Sequence, residues 1–252
     1  MASSGGPDHD PEAYGRSIAE DYDALYEDVL DTDATVRVLA ELADGGPVLE
    51  LGIGTGRLAL PLAAQGLEVA GVEASELMVE RLRAKPGGDR IPVSIGDFAE
   101  VRLPGEFTLV VLAFNTIFAL PSAEAQLACF ANAARHLHRG GRFVLDAWIL
   151  DAARFANDDR SVALRYVTPD RVSVDAARFD PVTSRMETVQ VVLSDDGAGL
   201  FPANHRYVGP PELDLMGTAA GLRLEHRWAG WDGSPYTATS RAHVSVYRRA
   251  GQ

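Results

Sequence analysis

The stretch Val48-Leu49-Glu50-Leu51-Gly52-Ile53-Gly54-Thr55-Gly56-Arg57 constrains this chain more than any other. A short apolar run that stops at closely spaced glycines reads as a buried strand entering a turn. There the bare backbone can approach a ligand, and the helix that follows aims its free N–H groups at it. Units of this kind build parallel sheets with helices on both faces.

The rest of the chain extends the pattern. Strands at 48–51, 68–72, 92–95, 107–113 and 142–148 alternate with helices at 57–65, 75–84 and 123–137, and Gly140-Gly141 precedes the fifth strand. Upstream, Ile18, Tyr22, Leu25, Tyr26 and Val29, then Val36, Leu39 and Ala40, recur at helical spacing, with a break at Asp31-Thr32-Asp33. Past Phe155 the texture changes to two-residue alternation at 162–167, 171–179, 185–193 and 205–207, as in antiparallel strands. A helix at 210–220 closed by Gly221 and strands at 222–228 and 242–248 follow. The expected divisions are a disordered 1–11, helices over 12–44, an α/β core over 45–155, a β insertion over 156–208, and completion of the core sheet over 209–252.

Composition removes several chemistries. The formal charge of −13 disfavours a nucleic-acid partner, because phosphate backbones are held by clustered cations. Lys85 is the only lysine, so a Gly-Lys-Ser/Thr phosphate loop and a Tyr-x-x-x-Lys dehydrogenase site are both missing, and Lys85 reads as a helix-end cation. Cys129 is the only cysteine and sits in an apolar helical run, where core packing is expected. The acids of the first 33 residues read as a solvated helical face. No histidine–carboxylate spacing indicates a metal, and none is expected. No apolar stretch is long enough to span a membrane, and the N-terminus shows no targeting pattern, so a cytoplasmic location is expected.

The glycines alone do not name the ligand, since Gly54-x-Gly56-x-x-Ala59 also loosely satisfies a dinucleotide fingerprint. Three strand ends add information. Glu50, two residues before the first glycine, suits a cationic ligand better than a pyrophosphate. Glu73, ending the second strand, is placed to accept from ribose hydroxyls, as it would for NAD too. Gly96-Asp97-Phe98, after the third strand, offers a carboxylate and an aromatic ring to adenine. With these features the chain resembles the class I S-adenosylmethionine-dependent methyltransferases over about 48–148 and the closing strands. The resemblance implies a Rossmann-like doubly wound seven-stranded sheet with its last strand antiparallel. It places Gly52, Gly54 and Gly56 beneath the methionine part, Glu73 on the ribose, Met78 and Phe98 against adenine, and Asp97 on the adenine amine, with Glu50, Arg57 and Ala74 among the other cofactor-binding residues.

The Tyr22-Asp23-Ala24-Leu25-Tyr26 stretch and the β insertion resemble the small-molecule branch, including amino-sugar and other natural-product methyltransferases. That branch implies an N-terminal lid placing Tyr14, Arg16, Tyr22 and Tyr26 near the methionine end, and an insertion that caps the acceptor pocket. The loop Phe114-Asn115-Thr116-Ile117-Phe118 follows the fourth strand, where ligands collect in open α/β sheets, and sets Asn115 beside the sulfonium. It lacks the Asn/Asp-Pro-Pro-aromatic segment of enzymes that methylate nucleobase amines, so a small-molecule N or O acceptor is expected.

In-line placement is the main catalytic task, with a base to take the acceptor proton. The candidates for that base are His205, Tyr26 and Asp146, in that order. Ile117, Phe118, Trp148 and Trp231 are candidate walls of the acceptor pocket. His136 and His138 read as helix-end histidines. A homodimer through the insertion is conceivable, and nothing in the sequence specifies it. The competing readings are a nucleotide-dependent oxidoreductase, and a non-methylating binder or cyclase on the same fold.

Overall fold

The computed structural model describes residues 12–26, 31–156, 158–195 and 197–251, so the expectation for 1–11 lies outside the described residues. A seven-stranded sheet runs in the order β10-β11-β5-β4-β1-β2-β3. Its strands are β1 (Val48–Leu51), β2 (Val69–Glu73), β3 (Val93–Ile95), β4 (Phe107–Leu112), β5 (Leu137–Trp148), β10 (Leu222–Trp228) and β11 (Ala242–Arg249). Strands β1 to β5 pair in parallel, and β11 runs antiparallel between β5 and β10. The reversal puts the connection from β10 to β11 at the same edge as the carboxyl ends of β4 and β5, because Ala242 pairs with Trp148.

Helices cover both faces, so β1 is buried along its whole length, as strands of a two-sided parallel sheet are. One face packs Val48, Leu109, Val144 and Val246 against α3 (Thr32–Ala43) and α4 (Ala59–Ala64). The other packs Leu49, Val110, Phe143 and Tyr247 against α6 (Ala123–His136) and α7 (Pro210–Ala219). Cys129 is wholly buried there.

The N-terminal pattern resolves into three helices: α1 (Ala13–Ile18), α2 (Tyr22–Tyr26) and α3, with Asp31 capping α3 by accepting the Ala34 N–H at 2.9 Å. Helix α5 (Glu76–Ala84) is capped by Ser75, whose hydroxyl accepts the Met78 N–H.

The β-rich insertion forms a second, four-stranded antiparallel sheet of β6 (Arg160–Val167), β7 (Arg171–Asp180), β8 (Arg185–Ser194) and β9 (Gly197–Arg206). The expected strand at 205–207 is far too short, and Tyr207 lies outside β9. Gly197, Gly199 and Pro202 mask the strand in the sequence. Pro202 is tolerated because β9 is an edge strand, where a missing N–H need not break a ladder.

Among the described residues, no helix is long and apolar enough to cross a membrane, and no group of three or more His, Cys, Asp or Glu could hold a metal ion.

Candidate active site

The turn after β1 is held open by three glycines at positive φ: 70° at Gly52, 54° at Gly54 and 83° at Gly56. Glu73 ends β2 and reads this turn directly. Its Oε2 accepts the Gly54 N–H at 2.8 Å and its Oε1 accepts the Ser75 N–H at 3.0 Å. Burial nonetheless raises the Glu73 carboxyl above the ordinary carboxylate range. Ala74 and Met78, on the segment that follows, are buried.

Glu50 is 5% exposed and its Oε2 has no hydrogen-bond partner, while burial pushes its carboxyl up to about 8 against the attraction of Arg57. An orphaned buried carboxyl is costly, and a cationic ligand would relieve it. A Cβ built on Gly54 would meet nothing within 4 Å, so the space over the turn is open. Both features fit a sulfonium-bearing nucleoside. At the third strand end, Asp97 Oδ1 accepts the Ala99 N–H at 2.8 Å. Asn132 donates to the Phe98 and Val101 carbonyls at 2.9 Å each, which fixes the loop that carries Asp97 and the half-buried Phe98.

The N-terminal helices close over this edge. Tyr22 and Tyr26 lie 5.0 Å apart by ring centroids, and Tyr26 meets Phe114 edge-on at 4.9 Å. Burial raises the Tyr22 phenol against the attraction of Arg57, and Tyr26, Glu50 and Glu73 push it further up, so Tyr22 stands near both carboxylates. Arg57 donates to Thr32 Oγ1 at 3.2 Å and stands 5.9 Å over the Phe114 ring. Arg16 is exposed and pairs with Glu12 at 2.9 Å. Tyr14 lies in α1, outside the residues whose side chains are described.

The second sheet brings two of the base candidates onto one surface. Tyr26 donates to Gln190 Oε1 at 3.4 Å, and Thr188 Oγ1 lies 3.3 Å from His205 Nε2. Thr188 and Gln190 are alternate residues of β8, so their side chains share one face roughly 7 Å apart along the strand. His205 Nδ1 is buried without a partner, and burial lowers the imidazole to about 4.

Asp146 lies off that face, beside Phe114, which Tyr26 also touches. It lines a cavity of ≈ 460 Å³ with Arg57, Phe114 and Trp231, on the side of α3. Its Oδ1 accepts the Phe114 N–H at 2.7 Å, and burial raises its carboxyl to about 6. Asn115, at φ 62°, accepts the Trp148 N–H at 2.8 Å, so the loop after β4 is tied to the end of β5.

Residues 48–141 match the family described as Methyltransferase domain. The CcbJ methyltransferase of Streptomyces caelestis has a solved structure that superposes with a TM-score of 0.88 at 38% identity, covering 96% of this chain and 100% of that one. The chain is a class I S-adenosylmethionine-dependent methyltransferase. The cypemycin N-terminal methyltransferase of a Streptomyces species is 29% identical to it over 246 residues, 95% of this chain and 99% of that protein. A dTDP-3-amino-3,4,6-trideoxy-alpha-D-glucopyranose N,N-dimethyltransferase of Streptomyces venezuelae is 28% identical over 230 residues, 85% and 89% of the two chains. Family membership decides against the oxidoreductase reading.

In this methyltransferase the four expected wall residues do not form one wall. Ile117 and Phe118 are fully buried core. Trp148 is partly buried, stacks on Tyr207 at 5.3 Å and touches Phe118 at 4.6 Å. Trp231 lies apart from them, on the loop after β10. His136 is not a helix-end cation but a buried bridge: its Nε2 accepts the Leu103 N–H at 2.9 Å, which requires a neutral ring.

Phe114 and Gln190 join lid, loop and second sheet around Tyr26, and neither carries a sequence signal for that role. A phenylalanine after an apolar strand gives no sign that it takes positive φ, and a glutamine two residues from a threonine carries no motif.

Proposed function

We propose that this methyltransferase transfers the methyl group to an amine nitrogen of a small molecule, in the manner of natural-product N-methyltransferases, and acts in the cytoplasm. The observation that carries the reading is His205: a half-buried, neutral imidazole whose Nδ1 is shielded and unpartnered, on the face of the second sheet that Tyr26 also reaches. Two of the relatives are named for amine acceptors, one a peptide N-terminus and the other an amino sugar.

When bound, S-adenosylmethionine supplies an already activated methyl group. The chain's own residues then bind, orient and exclude water. Glu50 would face the positive charge, Glu73 the ribose with Ala74 beside it, Met78 and Phe98 the adenine, and Asp97 its amine, while Gly52, Gly54 and Gly56 would leave room for the methionine part. Tyr22, Tyr26 and Arg57 close the site, and Asn115 sets the loop beside the reacting carbon. A neutral His205 Nδ1 accepts the acceptor's N–H, which turns the nitrogen lone pair toward the methyl. The proton that the nitrogen must lose on methylation would leave by way of Nδ1 to solvent, since an imidazole held near 4 does not retain it. Placement of this kind can lower a barrier by roughly 7 to 11 kcal/mol.

Incubation with the donor and matched pairs of small amines and alcohols, read by mass spectrometry, tests the proposal. Methylation of amines alone is expected, and methylation confined to the alcohols would overturn it.

A further inference from the structure

The one lysine is not a simple helix-end cation. Lys85 follows the last turn of α5 in extended geometry, which turns its side chain away from the helix and toward the glycine turn. Its Nζ donates to the Thr55 carbonyl at 2.9 Å and pairs with Asp23 Oδ2 at 2.6 Å. Thr55 in turn donates its hydroxyl to Asp23 Oδ1 at 2.6 Å. Both carboxylate oxygens of Asp23, on α2, are therefore engaged by the glycine turn and the residue behind it.

We infer that Lys85 is a positioning residue that latches the N-terminal lid onto the cofactor loop, through Asp23. Helices α1 and α2 have six and five residues, too few to be stable without tertiary contacts. Their position must come from what they touch. Ile18, Leu25 and Tyr26 supply apolar packing, but such contacts are not directional. The Asp23 clamp is directional, and it sits one residue from Tyr22 and one helical turn from Tyr26. A second ion pair from α5 to the lid, Arg81 with Glu20 at 3.6 Å, is longer and mostly exposed, and pairs of that kind contribute little.

The turn itself is anchored to the same helix. A Cβ on Gly56 would fall 2.3 Å from Leu82 Cδ1, one turn of α5 before Lys85. Helix α5 thus holds the floor of the site with Leu82 and its cover with Lys85. Opening the lid to exchange cofactor for product requires breaking the Asp23 bonds, so the latch sets the rate of release.

The inference rests on the assignment of the glycine turn and Glu50 to the cofactor. Its test uses the fact that the chain has a single ε-amine. The full-length enzyme is treated with an acetylating reagent, and modification is followed on the 84–90 fragment released by cleavage after arginine. Saturating S-adenosylhomocysteine should slow labelling of Lys85 roughly tenfold, and Asp23→Asn should speed it in the ligand-free enzyme, as expected for loss of one charge-assisted bond. In stopped flow, Lys85→Met and Asp23→Asn should each raise the S-adenosylhomocysteine off-rate by about tenfold, with no further rise in the double variant and recovery in Lys85→Arg.

Unchanged labelling in Asp23→Asn, or a wild-type off-rate in Lys85→Met, would overturn the latch. Glu50→Gln separates this from failure of the site assignment: it should weaken the cofactor while leaving ligand-free labelling of Lys85 as in the wild type. If Glu50→Gln binds normally, the site assignment fails while the Asp23 and Lys85 results still decide the latch.

Discussion

Asp146 Oδ1 accepts the Phe114 N–H at 2.7 Å, so a carboxylate at the end of β5 holds the backbone at the end of β4. The hold is needed because Phe114 and Asn115 both adopt φ 62°, a region that disfavours a bulky side chain. The Asp146 carbonyl adds a second bond, from the Asn115 N–H at 3.2 Å.

Removing the acceptor should leave this turn without its main side-chain support. Asp146→Ala is expected to destabilise the protein by roughly 2 to 3 kcal/mol, since it orphans a buried N–H in strained backbone. Asp146→Asn, which keeps an oxygen acceptor, should cost less. Urea denaturation measures both, and an Asp146→Ala variant as stable as the wild type would show that the turn is held by other contacts.

Gly54 and Gly56 should fail differently. At Gly54 the added methyl enters open space, and the left-handed conformation costs an alanine only about 1 kcal/mol. Gly54→Ala should therefore melt near the wild type while losing most of its S-adenosylmethionine affinity. At Gly56 the methyl meets Leu82, so Gly56→Ala should lose roughly 2 kcal/mol or more. Calorimetric titration beside thermal melts separates the two, and a Gly54→Ala variant that binds normally would remove the glycine turn from the cofactor site.

Glu50 makes stability and cofactor affinity move oppositely with pH. Its folded value of about 8 lies above its ordinary 4.5, so between these the folded protein keeps a proton that the unfolded chain has lost. Stability from this group therefore falls as pH rises from about 4.5 through 8 and then levels. Glu50→Gln should be the more stable protein above pH 8, by an amount on the order of a few kcal/mol. Affinity for the positively charged donor should instead climb with pH toward 8 in the wild type and stay low and flat in Glu50→Gln. Titrations at pH 6 and pH 9 provide the comparison, and parallel pH profiles for the two proteins would exclude Glu50 as the counter-charge.

What could be read from the sequence was whatever repeats a local rule. Strand, glycine turn and helix, and the carboxylates at successive strand ends, follow from short-range patterns, and the structure places Glu50, Glu73 and Asp97 at the ends of neighbouring strands; the reversed last strand was implied by the family resemblance alone. Long-range partnerships were not legible. Nothing in the acids of the N-terminus marks Asp23 as the partner of Thr55, 32 residues away. The β9 strand hid behind Gly197, Gly199 and Pro202, and with it the register that sets His205 opposite Met186. Ile117 and Phe118 looked like a pocket wall because apolar residues in a loop resemble a binding surface, yet a 3-10 turn at Thr116–Ala119 folds both into the core.

His205 supplies the test that bears on chemistry alone. Its ring is half-buried, and desolvation lowers it to about 4, below its ordinary 6.5, so it stays neutral throughout the range in which the enzyme would work. If it accepts the acceptor proton, turnover should show no loss of His205 function between pH 7 and 5, where an ordinary histidine would have become charged. His205→Ala should lower kcat by about a hundredfold, the scale of one general base, while leaving the affinity for S-adenosylmethionine unchanged. The same depressed value has a stability consequence of known sign. Between 6.5 and 4 the unfolded chain binds a proton that the folded state refuses, so wild-type stability declines as pH falls through that window. His205→Gln lacks this term and should lose less stability on acidification. A wild-type kcat in His205→Ala would remove the residue from the proton path, whereas a loss of donor affinity with unchanged kcat would make it part of the binding surface instead.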